Sequence, residues 1–172
     1  MFAKISRGID WFSTKQGDWT SLLIIPLLGV VLYEVMMRYG FNSPTVWGFE
    51  MTGFLYGMHY MFGYSYTDVK DGHVRVDIFT SMASKKTQAI IGALTTLVLF
   101  LPVMICMTIA TAKYAWYSVE TLEKGSTSWA PPIWPFKLIM AFCFFLLLMQ
   151  GVSNVLKSIL VLTGKTEQTA KG

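Results

Sequence analysis

Charged side chains are scarce in this sequence and unevenly spread. Asp, Glu, Lys and Arg make up 14% of the 172 residues, while 53% are apolar. A soluble domain carries roughly a quarter charged residues, so a solvated globule does not fit this composition. The charges gather in short segments between long uncharged runs, the pattern of a chain whose surroundings alternate between water and lipid. Cysteine is nearly absent too. Cys106 and Cys143 stand in apolar runs with no CxxC spacing, so they form no disulfide framework and read as small apolar residues. The two histidines, His59 and His73, fall at different depths and cannot readily clamp a haem between helices. HExxH, a Walker A glycine loop and GxSxG are all missing, which removes the common hydrolase and nucleotide chemistries. No cofactor and no metal site is expected, and the net charge of +4 needs counting by loop rather than reading as a nucleic-acid footprint. A cleaved leader is not expected either. Residues 1–17 lack an apolar core, and the first long apolar run ends at Glu34 and Arg38 without a small-residue cleavage site.

What is present is an all-α membrane pattern. Four transmembrane helices are expected over about 19–39, 46–67, 87–117 and 136–156, with short interfacial amphipathic helices beside them, all in a single membrane domain 1–172. The third span is the clearest, because nothing formally charged lies between Lys86 and Lys113. Those 26 residues reach about 39 Å at ~1.5 Å each, enough for a ~30 Å hydrocarbon core. Before the first span, Phe2, Ile5, Ile9 and Phe12 recur at spacings of three, four and three, with Lys4, Arg7 and Asp10 between them. That predicts an interfacial helix over 2–15 with its apolar side among lipid headgroups. Pro26 is expected to bend or wedge the first span near its start. The charged segment 68–86 reads as a loop between spans two and three, an extended turn leading into a short interfacial helix at 78–84. The tail from Gly164 is polar.

Lys4, Arg7 and Lys15, then Lys70, Arg75, Lys85 and Lys86, then Lys157, Lys165 and Lys171 fall on one side of this topology. Only Arg38, Lys113, Lys124 and Lys137 fall on the other. The positive-inside rule therefore places both termini in the cytoplasm. Basic loops beside a membrane also attract anionic lipid headgroups.

Within the spans, Glu34, Glu50 and His59 are the candidates for transport chemistry, since a carboxylate in lipid must be paired, neutral or wet. Arg38 follows Glu34 by four residues and shares its helical face. Both glutamates lie near the outer surface rather than at the midplane, where ion and substrate sites form. They are therefore read, with Arg38, Trp47 and His59, as contacts to other helices or to a partner subunit. The second span, with Gly53, Gly57 and Gly63 beside Tyr56, Tyr60, Tyr64 and Tyr66, is suited to facing protein. Alternatives stay open: a self-sufficient ion-coupled transporter acting as a homodimer, or a membrane redox or enzyme subunit.

The segment Asp71-Gly72-His73-Val74-Arg75-Val76-Asp77 resembles the small membrane subunit of tripartite ATP-independent periplasmic (TRAP) transporters, the DctQ-like family. Trp47 and Glu50 at the start of span two, the glycine- and aromatic-rich run 53–66, and Ser128-Trp-Ala-Pro-Pro-Ile-Trp-Pro-Phe-Lys137 before the last span agree in order. The resemblance implies a non-catalytic scaffold in a bacterial inner membrane. Its expected partners are a large DctM-like subunit, which holds the substrate and sodium sites, and a periplasmic binding protein that delivers an organic acid. It makes Asp71, Gly72, His73, Arg75 and Asp77 the clasp of the cytoplasmic loop. Trp129, Pro131, Pro132, Trp134, Pro135 and Lys137 become the periplasmic docking loop.

Overall fold

The computed structural model describes residues 2–70, 72 and 84–162. Every regular element in them is helical. Helix α1 spans Phe2–Ser21 and α2 spans Ile24–Val35, which runs on into a π-turn at Met36–Gly40. Helix α3 spans Gly48–Val69, α4 Lys85–Thr95, α5 Leu101–Glu120 and α6 Trp134–Leu162. A second π-turn, Thr96–Phe100, joins α4 to α5.

The breaks have local causes. Pro26 has no N–H to offer the Leu22 carbonyl. That carbonyl takes the Ile25 N–H at 3.1 Å instead, and the chain tightens through residues 22–23 between α1 and α2. Pro102 sits just after the second π-turn. Widening the preceding turn, with Leu101 N–H donating to Thr96 O, makes room for its ring. The first π-turn ends with Asn42 in the left-handed region (φ 50°) and Ser43 N–H reaching back to Met37 O at 2.9 Å. This is a Schellman-type stop, at one of the few residue types that tolerate such a φ. Ser84 caps α4, accepting the Thr87 N–H.

Helix α6 is the hub. It packs on α1, α3, α4 and α5, while α1 also lies against α3, and α2 against α3. Small residues allow the close approaches. A methyl added at Gly17 would overlap the Tyr66 ring, one at Gly57 would meet Phe136, and one at Gly151 would lie 2.5 Å from Phe100. The interior is thin and polar. Ala115, Cys143 and Leu146 are its buried apolar members, against Ser6, Ser13, Thr20, Ser65, Ser118, Lys137, Gln150 and Ser153. The outside is aliphatic, with Ile25, Leu28, Leu99 and Ile109 all exposed. That inversion fits a solvent that is itself hydrocarbon, since lipid gives no reason to hide leucine.

Among the described residues three helical stretches are long and apolar enough to cross a membrane: Ala3–Gly40, Thr87–Glu120 and Trp134–Leu162. The first has 38 residues. At ~1.5 Å per residue it is about 57 Å long, nearly twice a ~30 Å hydrocarbon core, so it is longer than one crossing needs. With four spans expected, α3 is the difference. Its 22 residues reach about 33 Å, but Glu50, His59, Asp68 and its tyrosines keep it below the hydropathy of the other three. The short helix expected at 78–84 and the tail from Gly164 lie outside the described residues, apart from Ser84.

Candidate functional site

The polar side chains of the bundle gather in three places. The first is the crossing of α1 over α3 and α6. Residues Ser6, Asp10, Ser13, Gly17 and Thr20 recur at four, three, four and three, which lays them along one face of α1. Ser6 Oγ lies 2.8 Å from Ser153 Oγ, and Ser13 donates to Gln150 Oε1 at 3.1 Å. Asp10 collects three donors: Gln150 Nε2 at 2.8 Å, Ser153 Oγ at 3.0 Å and Lys157 Nζ at 2.8 Å. Towards α3, Gln16 accepts from Ser65 Oγ at 3.0 Å and donates to Phe62 O at 3.1 Å. Asn154 of α6 closes the group by donating to Asp68 at 2.5 Å. The opposite side of α1, with Ile5, Trp11 and Phe12, is exposed.

This clasp was not among the residues singled out from the sequence. Serines at helical spacing beside charged residues look like a solvated face. The readable signal was the regular row of small and polar residues in a chain whose solvent is mostly lipid, where such a row belongs inside.

The second group fixes the turn between α2 and α3. Glu34 and Arg38 pair at 2.7 Å across one helical turn. The other Glu34 oxygen takes the Thr45 hydroxyl and backbone N–H, and Thr45 Oγ1 in turn accepts the Gly48 N–H at 3.1 Å. Trp47 stacks on Tyr33 with ring centroids 5.7 Å apart. Thus Glu34, Arg38 and Trp47 serve one turn together. Glu50, one turn further on, is only half-buried, but its Oε2 is enclosed and has no hydrogen-bond partner in the structure.

His59 is apart from both glutamates. Its Nδ1 lies 3.2 Å from the Thr20 carbonyl, at the end of α1 where the helix breaks. A cleft of about 270 Å³ opens beside it, lined by Asp18, Thr20, Ser21, Tyr66 and Thr67.

The third group is the loop between α5 and α6. Leu122 (φ 47°) and Ala130 (φ 46°) turn the chain, while Gly125 N–H donates to Pro131 O at 2.8 Å and Ile133 N–H to Glu123 O at 3.0 Å. Lys137 is buried, ion-paired to Glu123 at 2.5 Å and seated over the Tyr114 ring at 3.7 Å. That hydrogen bond from Lys137 holds the Glu123 carboxyl below the usual carboxylate range. Pro131 is buried, Trp129, Trp134 and Pro135 are half-buried, and Pro132 is exposed. Of the docking-loop candidates, Lys137 and Pro131 are therefore occupied inside the loop itself. Of the motif at 71–77 only Gly72 is described, and its N–H closes α3 by donating to Thr67 O at 2.8 Å. Asp71, His73, Arg75 and Asp77 lie outside the described residues. Among the described residues no three His, Cys, Asp or Glu side chains gather as metal ligands would.

An all-helical bundle with an aliphatic exterior and a polar seam is a multi-pass membrane protein. Residues 27–160 match the family of the DctQ component of tripartite ATP-independent periplasmic transporters, and the chain belongs to that family. Over 121 residues it is 24% identical to the sialic acid TRAP transporter permease protein SiaT of Haemophilus influenzae (strain 86-028NP). The similarity covers 69% of this chain but only 20% of SiaT, so the chain spans about a fifth of the length of that curated relative.

Proposed function

We propose that this chain is the small, non-catalytic scaffold subunit of a sodium-coupled TRAP transporter for organic acids, bracing a large DctM-like subunit in a bacterial inner membrane. On this reading α3 is the fourth span, its polar side turned to α1 and α6. Four crossings bring both ends to one side, and the count of basic residues makes that side the cytoplasm. Asp71, His73, Arg75 and Asp77 then clasp the cytoplasmic loop that Gly72 begins. The braced outer loop presents Trp129 and Pro132 to a periplasmic binding protein at low ordering cost. SiaT is named for sialic acid, an organic acid, and the same substrate class is proposed here, selected by the partner chains.

The observation that carries the reading is where the charges in the bundle go. Asp10 ends on Lys157, Glu34 on Arg38 and Thr45, and Asp68 on Asn154. Those groups join helix to helix or brace a turn, rather than forming an open set of ligands at mid-depth. One feature favours the rival reading, a self-sufficient homodimeric transporter: the enclosed, partnerless oxygen of Glu50.

Co-purification from mild detergent, with the chain expressed from its native gene neighbourhood, separates the two readings. A large polytopic chain in stoichiometric amount is expected, uptake should require both chains, and Glu50→Gln should leave uptake within about twofold. Recovery of a homodimer alone, with uptake by it that Glu50→Gln abolishes, would sink the scaffold reading.

A further inference from the structure

We propose that the exposed tyrosine stripe of α3 is the surface on which the large transport subunit seats a membrane-spanning helix. This rests on the scaffold reading above and assigns it a face. Along α3 only Phe49, Gly53, Tyr56, Tyr60 and Tyr64 are exposed, at spacings of four, three, four and four, so the helix has one open side. The three tyrosines on it are 52%, 50% and 47% exposed. The rings of Tyr56 and Tyr60 lie 4.4 Å apart, so the two phenols form one platform.

Depth makes the stripe unusual. Tyrosine at a membrane surface normally sits at headgroup level, with its ring in lipid and its hydroxyl wet. Counting from Gly48 at ~1.5 Å per residue, Tyr56 and Tyr60 stand about 12 and 18 Å along a helix of about 33 Å, close to its middle. The Tyr56 and Tyr60 phenols hydrogen-bond each other, and acyl chains can satisfy none of the hydrogen-bonding capacity the pair leaves over, which is costly at that depth. The other open faces contrast with it. Val103, Ile105 and Ile109 on α5 and Ile25, Leu28 and Leu32 on α2 are aliphatic and suit lipid as they stand.

The stripe also has the relief of a helix seat. A Cβ added at Gly53 would meet nothing within 4 Å, so the backbone lies open beside Tyr56, and small residues next to hydrogen-bonding side chains are what membrane helices use to associate. The occupant is the large subunit rather than a second copy of this chain. In SiaT the region similar to this chain is 20% of the polypeptide, so there the small part is covalently tied to a much larger remainder.

The test uses the native complex in membranes, with the photo-crosslinking residue benzoylphenylalanine placed at position 60 and, separately, at position 105 on the aliphatic face of α5. An adduct between this chain and the large subunit is expected from position 60 and not from position 105. The double substitution Tyr56→Phe with Tyr60→Phe, which keeps the rings, should lower retention of the large subunit roughly three- to tenfold in detergent washes. Three outcomes overturn the assignment: adducts to the large subunit from position 105 alone, adducts from position 60 only to a second copy, or none from position 60 while the unmodified chain still brings the large subunit down. If the unmodified chain brings nothing down, the scaffold reading itself fails and the seat falls with it.

Discussion

Gln150 is the largest fully buried side chain in the described structure, and it is a glutamine where a soluble bundle would put leucine. Its amide donates to Asp10 and accepts from Ser13, so both of its polar ends are used in joining α6 to α1. Gln150→Leu keeps much of the volume but leaves the Ser13 hydroxyl without its partner and removes one of three donors from Asp10. Stability should fall by about 1–2 kcal/mol, since buried polar groups left unpaired are costly while interhelical hydrogen bonds in membranes are individually modest. Thermal unfolding of the detergent-solubilised protein measures this, and an unchanged midpoint would show that the seam is not contributing. Glu123 offers a second check at this scale. Lys137 holds its carboxyl below the ordinary range near 4. A folded value below the unfolded one means the clasp contributes stability above the ordinary carboxylate range and loses it as pH falls through the lower, folded value. Fluorescence of Trp129 and Trp134 should therefore stay constant from neutral into mildly acidic pH and change only below that range. Glu123→Gln should abolish this acid transition.

At the scale of elements, the fit of α1 on α3 depends on Gly17. A side chain there would run into the Cβ and ring of Tyr66, so Gly17→Leu should lift α1 from its seat and raise amide exchange along Asp10, Ser13 and Gln16. Gly29→Ala, where the added methyl meets open space on α2, should leave exchange unchanged. Equal effects from the two would show that Gly17 is not a contact point. Helix type was legible in the sequence wherever one solvent set the pattern: the uncharged run 87–112 and the apolar run after Trp134 announce themselves by length alone. Glu34 and Arg38 were legible as a pair because four residues bring side chains onto one helical face. The role of α1 was not. Its apolar row of Ile5, Ile9 and Phe12 is the stronger pattern in the sequence, whereas the side that meets protein is the serine row. Choosing between two rows requires knowing that the partner face on α6 is Gln150, Ser153 and Lys157, far along the chain. The Lys137–Glu123 pair was hidden for the same reason, with fourteen residues and a turned loop between the two.

At the scale of the whole molecule, the bundle has little apolar interior to hold it together, and its helices are joined by polar contacts at both ends and by close approach at glycines. Such a body keeps its shape through specific contacts rather than through the quantity of buried surface. The exposed faces of α2 and α5 are largely aliphatic, whereas the exposed face of α3 carries tyrosines. The existence of α3 as a helix was legible from the turn at Asn42–Pro44 and from its length, while its polarity places it apart from the three stretches long and apolar enough to cross a membrane.

The contact of Ser6 with Ser153 joins residues 147 apart in the chain. A ribosome adding roughly 5–20 residues per second needs about 7–30 s to make that stretch. During this time α1 exists without the glutamine, serine and lysine that its inner row is shaped to meet. Its greasy side can rest among headgroups meanwhile, and Asp10 stays wet. Gln16 and Gly17 can settle on α3 early, but the Ser6, Asp10 and Ser13 end of that row is locked only once α6 has been made.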